Sequence, residues 1–246
     1  MTGGATMRKN TDRPSFRTMK QTVVTILVGK TEKAYIIHLD LLIHYSEYFR
    51  AAFTGSFKEA EDKKISLSDV KKSTFDRFVD WLYYREISPT EEDKDPETGR
   101  LQYRGIIELY ILGDKYQIPK LRKYVIDHIF QSLTTSLELL PSPGAIARAY
   151  EFLPETSPMR KFMLDIFARR FTPYYITRAK KMNKNPSCLQ NEFLIEALIK
   201  IADNTKAINQ NQRSTLKLKL CDYHEHADDK ERKQCEQSHG VADIDR

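Results

Sequence analysis

The spacing of apolar positions changes along the chain, and the changes mark its elements. Val23-Val24-Thr25-Ile26-Leu27-Val28 is dense in β-branched residues and almost continuously apolar. That predicts a strand buried on both faces or paired at an interface. Ala34-Tyr35-Ile36-Ile37-His38 is a fitting partner strand across the hairpin-sized turn Gly29-Lys30-Thr31-Glu32. From Leu39 to Phe53 the period becomes helical, with Leu39, Leu42, Ile43 and Ser46 at helical offsets and Tyr48/Ala52 and Phe49/Phe53 as i, i+4 pairs. Ser46 predicts a cap that splits this stretch into two short helices, and Gly55 predicts the stop. Lys64–Asp69 alternates Ile65 and Leu67 with polar neighbours, the pattern of a half-buried strand. A helix starting at Ser73 follows, with Asp76 in its first turn and Phe75, Phe78, Val79 and Leu82 as its buried stripe.

Glu86–Gly99 is acidic, holds two prolines and has no apolar period, so it predicts a solvated loop. Helical spacing returns over Gly105–Tyr116, and Pro119 opens another helix whose inner face is Leu121, Val125, Ile129 and Phe130. Pro141-Ser142-Pro143-Gly144 is the strongest breaker and the best domain boundary. Beyond it, helices are predicted over Ala145–Phe152, Met159–Phe171 and Glu192–Ala207, and from Asn209 the composition turns polar. The organisation that results is a basic, disordered tail at 1–21, a domain at 22–131, a helical extension at 143–208 and a polar tail at 209–246.

The segments of the N-terminal half, in this order and spacing, resemble the BTB/POZ domain over about Thr22–Gln131. The resemblance is carried by Ile26-Leu27-Val28-Gly29, Tyr35-Ile36-Ile37-His38, Ser46-Glu47-Tyr48-Phe49-Arg50-Ala51-Ala52-Phe53 and Phe57-Lys58-Glu59-Ala60. It continues through Ile65-Ser66-Leu67-Ser68-Asp69-Val70, Phe75-Asp76-Arg77-Phe78 and Trp81-Leu82-Tyr83 to Leu109-Tyr110-Ile111-Leu112-Gly113-Asp114-Lys115-Tyr116 and Ile118-Pro119-Lys120-Leu121. The Leu-Gly-Asp-Lys-Tyr wording looks most like fungal BTB proteins. The resemblance implies an α+β fold, a small β-sheet capped by α-helical hairpins, here followed by an all-α extension. It implies homo- or hetero-association as the activity. Family members also serve as substrate adaptors of cullin-type ubiquitin ligases or as transcription regulators through appended domains. These 246 residues hold no kelch repeats, zinc-finger array or channel segment. Where the family often carries an acidic residue before the first strand and a basic one after the strand-ending His, this chain has Val23 and Leu39. Both members of that charge pair are apolar together, which avoids a lone buried charge.

Composition narrows the function classes. At 40% hydrophobic and 11% aromatic residues a core can be built. No apolar stretch approaches the roughly 20 residues of a membrane helix, and no membrane association is expected. Met1–Gln21 lacks the apolar centre of a secretory signal. Its Arg and Ser/Thr content suits a mitochondrial presequence, but the amphipathic face is missing. A net charge of +6 is spread among 34 acidic residues, so it reads as a solubility term with salt-sensitive attraction to anions. Nucleic acid is therefore not the expected partner: Arg169-Arg170 and Arg178–Lys184 read as a basic, solvated helix end, and a nucleic-acid-associated regulator using the basic N-terminus and a zinc-bound tail stays as an alternative. Three cysteines without an export signal predict a reducing compartment, cytoplasm or nucleus.

Reactive constellations are sparse. His38 reads as a hydrogen-bonded histidine at the core edge, Trp81 as a core anchor, and Glu91-Glu92-Asp93 as loop carboxylates. There is no phosphate-binding glycine loop and no nucleophile elbow around Gly55-Ser56. The expectation is a non-enzymatic module. One cluster has a chemical case: Cys221-x2-His224-x-His226-x8-Cys235. Thiolates and imidazoles are the ligands zinc prefers, and metal binding can supply stability that a polar tail lacks. Its spacing matches no standard finger, and His239 competes for the fourth place. Cys188 stands apart as a lone thiol. The expected partner is a protein, either a second copy or a cullin-type scaffold, docked on the first strand and first helix or on the helices around Phe49–Phe57 and Asp69–Tyr84.

Overall fold

The computed structural model describes residues 13–87, 103–135, 141–171, 177, 186–210 and 218–238. Strands β1 (Val23–Val28), β2 (Lys33–His38) and β3 (Lys64–Leu67) form one sheet in the order β2-β1-β3. The hairpin register sets Val23 against His38, Thr25 against Ile36 and Leu27 against Ala34. Gly29, at φ +74, supplies the left-handed residue that its turn needs. β3 runs parallel to β1, so the chain must cross over between them. It does so through helices α1 (Leu39–Tyr45), α2 (Glu47–Thr54) and α3 (Lys58–Asp62). These are the elements that periodicity predicts, apart from the short α3.

Ser46 carries the corner between α1 and α2. Its hydroxyl accepts the Phe49 backbone N–H at 3.0 Å and donates to the Tyr116 carbonyl at 2.6 Å. The predicted cap is therefore also a tie to the far side of the domain. Tyr116 ends α5 (Arg104–Lys115), and its ring stacks on Phe49. Gly55 ends α2, and a Cβ there would stand 2.6 Å from the Ala51 carbonyl. The helix α4 (Lys72–Tyr84) starts one residue before the expected Ser73. Asp76 does not serve the helix dipole, as expected, but ties α4 to β2. It accepts from Tyr35 Oη at 2.7 Å and from Lys33 Nζ at 3.2 Å. Arg85 caps α4 in the left-handed region and lays its guanidinium over Tyr45 and Trp81.

One apolar core runs through the whole described chain. The inward side chains of the sheet (Val24, Ile26, Val28, Ile37, Ile65, Leu67) meet Phe49, Phe53, Phe75, Phe78 and Trp81 from α2 and α4. The helix α6 (Pro119–Thr135) packs on α5, where Gly113 allows close approach: a Cβ there would meet Arg122 and Leu121 at 3.3–3.4 Å. The extension is α7 (Pro143–Phe152), α8 (Pro158–Arg170) and α9 (Asn191–Asn209). Phe193 of α9, fully buried, sits edge-on between Tyr150 and Phe167. Arg160 of α8 pairs with Glu192 and covers the Tyr150 ring at 3.9 Å. Residues 13–21, placed by sequence in the tail, contact the domain. Met19 is buried, and Arg13 donates to the Tyr83 carbonyl at 2.6 Å. Most of the acidic loop and the Arg178–Lys184 run lie outside the described residues.

Glu108 of α5 joins domain and extension. It accepts a two-pronged pair from Arg148 of α7 at 2.9 and 3.1 Å and a bond from Lys71, before α4, at 3.0 Å. Burial alone would raise its pKa, but Arg148 and Lys71 prevail and hold it below the ordinary carboxylate value. A depressed folded-state pKa contributes stability that is complete above the unfolded value near 4.5 and is lost as pH falls through the folded value.

Two outcomes are expected. Ser46→Ala removes both partners of one hydroxyl and lowers the unfolding free energy by about 1–3 kcal/mol, with an unchanged denaturant slope, in urea melts. Glu108→Gln lowers it by about 1–3 kcal/mol at neutral pH. Urea midpoints measured down the acid series converge for wild type and variant as the pH falls below the unfolded value near 4.5 and through the lower folded value of Glu108.

Candidate interaction surface and C-terminal Cys/His cluster

Strand alternation decides what the sheet shows to the outside. With Val24, Ile26 and Ile37 inward, the outer face takes Val23, Thr25, Leu27, Ala34, Ile36 and His38. Ile36 is 72% exposed and Val23 44%. Phe16, 66% exposed, stands edge-on to the His38 ring at 5.6 Å. The sequence points to the first strand and first helix as a docking surface, and the structure divides them. β1 is the central strand, so its backbone is paired on both sides and only its outer side chains are presented. α1 faces inward, with Leu39, Leu41, Leu42 and Tyr45 buried. Leu39 thus enters the core, while Val23, its apolar counterpart, lies on the outer face. Phe16 and Ile36 are the members that sequence reading missed; the strict alternation of β2 was the signal for Ile36.

Other apolar side chains stand out elsewhere. Phe49 and Phe53 are buried, whereas Phe57 at the corner between α2 and α3 is 60% exposed, Tyr48 is partly exposed and Tyr84 ends α4 in solvent. On α9, Leu194, Ile195, Leu198 and Ile199 form an exposed stripe.

His38 is held as expected. Its Nδ1 meets Tyr83 Oη at 2.9 Å, and the same oxygen accepts the His38 backbone N–H at 3.1 Å. Trp81 is buried, as expected of a core anchor. Cys188 is an exposed thiol away from the other two. Glu91-Glu92-Asp93 and His239 lie outside the described residues. Among the described residues no helix is long and apolar enough to cross a membrane.

The C-terminal segment folds onto the helices. Leu218, Leu220 and Tyr223 are buried around a 3-10 turn at Leu220–Tyr223. Tyr223 packs on Phe162 of α8 and donates to Asp165 at 2.8 Å. Arg122 of α6 reaches Glu225 at 2.6 Å and Asp114 of α5 at 3.1 Å. A final helix, α10 (Asp229–Ser238), is started by Asp228, which accepts the Glu231 N–H at 2.8 Å while Glu231 accepts the Ala227 N–H at 2.7 Å. The alternating Leu216-Lys217-Leu218-Lys219-Leu220 carried a legible signal for these anchors.

This docking groups Cys221, His226 and Cys235 and sets His224 against Cys235. Cys221 Sγ lies 3.1 Å from His226 Nε2, and Cys235 Sγ lies 3.1 Å from His224 Nδ1. The ligand atoms of Cys221, His226 and Cys235 are all within 4.8 Å of one another. His224 Nε2 meets Asp127 Oδ1 of α6 at 2.6 Å. A carboxylate can only accept, so Nε2 carries a proton toward Asp127, and Nδ1 is the ring nitrogen that faces the Cys235 sulfur. Burial works to raise the Asp127 pKa, but the bonds from His224 and Lys123 hold it below the ordinary value. Burial and the neighbouring Cys235 push the Cys221 thiol up to about 11. Asp127 was not foreseeable from sequence, since nothing in its local pattern separates it from any solvated helix carboxylate.

Comparison with known proteins agrees with this architecture. Residues 14–133 match the family model of the BTB/POZ domain. Kelch-like protein 13 of Mus musculus is 26% identical over 58% of this chain and 25% of its own. Kelch-like protein 3 of Homo sapiens is 34% identical over 30% of this chain and 13% of its own. Kelch repeat and BTB domain-containing protein 4 of Homo sapiens is 33% identical over 40% of this chain and 16% of its own. The chain thus spans a quarter or less of the length of these relatives. A small sheet, helical hairpins around it and the family match converge: residues 14–133 of this chain form a BTB/POZ domain, a protein-interaction module.

Proposed function

We propose that this chain is a non-catalytic interaction module that associates, with a second copy of itself, through the uncovered outer face of its sheet. The observation that carries this reading is the placement of exposed Ile36 and Val23 beside half-buried Leu27 on that face, with exposed Phe16 against His38 at the end of β2. Large side chains clustered on one exposed surface favour a second chain over water, because their burial is worth about 25 cal/mol per Å². A sheet face in a closed dimer meets its own copy by two-fold symmetry, so one apolar patch serves both sides. The same face would also accept a different protein. Three cysteines outside any disulfide suit a reducing compartment, cytoplasm or nucleus. A nucleic-acid role would lean on the basic N-terminus, which lies largely outside the described residues.

A second reading makes the chain an adaptor on a cullin-type ubiquitin ligase scaffold. It is favoured by Phe57, an aromatic ring presented at a helix corner, and by the likeness to kelch-like proteins. Phe49 and Phe53 cannot contribute because the core takes them; Tyr48, Phe57 and Tyr84 are the available side chains.

In sedimentation velocity the full chain runs as a dimer at tens of micromolar, and the double variant Val23→Asp, Ile36→Asp runs as a monomer of unchanged circular dichroism. A wild-type monomer at about 100 μM contradicts self-association. For the adaptor reading, calorimetry with a purified cullin N-terminal region gives measurable binding that Phe57→Ala weakens tenfold or more, about 1.4 kcal/mol, while the sedimenting species stays that of wild type. Absence of binding by the wild-type chain removes that reading.

A further inference from the structure

We infer that Cys221, His224, His226 and Cys235 hold one Zn²⁺ ion, with Asp127 as the outer partner of His224, and that the ion clasps the C-terminal segment onto the BTB/POZ domain. Three observations converge. The first is geometry. A tetrahedral zinc site, with Zn–S about 2.3 Å and Zn–N about 2.0–2.1 Å, sets its ligand atoms about 3.3–3.8 Å apart. Both sulfur–nitrogen contacts here are 3.1 Å, and three of the four ligand atoms lie within a 4.8 Å span. Spreading of the two close pairs and a shift of His224 toward the group of Cys221, His226 and Cys235 make room for the ion.

The second is orientation. His224 offers Nδ1 to the cluster because its Nε2–H is already given to Asp127 at 2.6 Å. A carboxylate behind an imidazole fixes the tautomer and ring of a metal ligand and raises its basicity. Asp127 belongs to α6, so this bond crosses from the tail to the interaction domain.

The third is the helix α10. Among residues 229–237 the one buried side chain is Cys235. A helix of this length is marginal on its own in water, and no apolar face docks it. Beside the Arg232–Asp222 pair and the Arg232 carbonyl facing Cys221, Cys235 is the one buried side chain among residues 229–237, and a sulfur–metal bond would make that single interior contact a firm anchor.

Other uses of the same atoms fit less well. Cys221 and Cys235 are 4% and 8% exposed, too closed for a nucleophile that must meet a substrate. A disulfide would leave two imidazoles aimed at sulfur without purpose. Zn²⁺ rather than Mg²⁺ or Ca²⁺ follows from two sulfurs and two nitrogens, and four protein ligands close the site for a structural role. On binding, each S–H bond is replaced by an S–Zn bond and the two protons pass to solvent. The two thiolates then balance the ion's charge.

The test uses the full untagged chain, purified without chelator. Elemental analysis gives one zinc per chain. After stripping, Co²⁺ titration gives the visible bands of a tetrahedral site with thiolate-to-metal charge transfer, displaced by Zn²⁺. Asp127→Asn keeps the Co²⁺ spectrum but lowers metal affinity about 10–100-fold, the mark of a positioning residue. Cys235→Ser weakens the charge-transfer band. Limited proteolysis of the stripped wild type opens the segment after Gln210, and added zinc closes it. Zinc-free protein that gives no tetrahedral Co²⁺ spectrum overturns the assignment, as does an intact mass short by two hydrogens.

Discussion

A three-stranded sheet has two faces, and among the described residues the helices cover one of them, leaving Val23 and Ile36 of the other exposed. That imbalance governs the rest. Val24, Ile26, Val28, Ile37, Ile65 and Leu67 point into the core, where Phe49, Phe75, Phe78 and Trp81 meet them. Because the strand period is two, every second residue must then face away from the helices. In a sheet of a solitary domain those positions are polar. β3 follows the rule with Lys64 and Ser66, but β1 and β2 place Val23, Leu27 and Ile36 there. An exposed aromatic ring, Phe16, lies against His38 at the end of β2 from the segment before β1.

The covered side shows how polar groups are used when apolar packing is already complete. Ser46, Asp76 and Glu108 each join elements far apart in sequence: α2 to the end of α5, α4 to β2, and α5 to α7. Each is a short side chain satisfied by two or more partners, so it fixes position without leaving a buried group unpaired. The extension docks in the same manner, by Phe193 for bulk and by Arg160 for direction. The C-terminal segment repeats the scheme with fewer apolar residues and more polar ties, which is where a metal would matter most. A clasp joining that segment to α6 would couple the far end of the chain to the interaction domain without altering the sheet face.

Much of this was legible in the chain itself. Periodicity and caps marked the strands, the corner at Ser46 and the helices of both halves, because those features are local. The tail's cysteines and histidines stand out in the sequence by their chemistry, and the structure groups Cys221, His226 and Cys235 of them. What was not legible depends on contacts across the fold. Asp76 has the position of a dipole partner and becomes a cross-tie because β2 lies over it. The apolar residues of α1 look available in sequence and are consumed by the core. Asp127 acquires a role only when His224, far along the chain, folds back on it. Phe16 lay in a segment whose composition reads as tail.

The claim on which the account turns is that the outer sheet face is covered when the protein works. Hydroxyl-radical footprinting of the full chain over a dilution series tests it most directly, with side-chain oxidation of Phe16, Ile36 and Trp81 read by mass spectrometry. The account predicts that Phe16 and Ile36 are protected at high concentration and become labelled on dilution, while buried Trp81 stays protected throughout. Strong labelling of Phe16 and Ile36 at every concentration would contradict it.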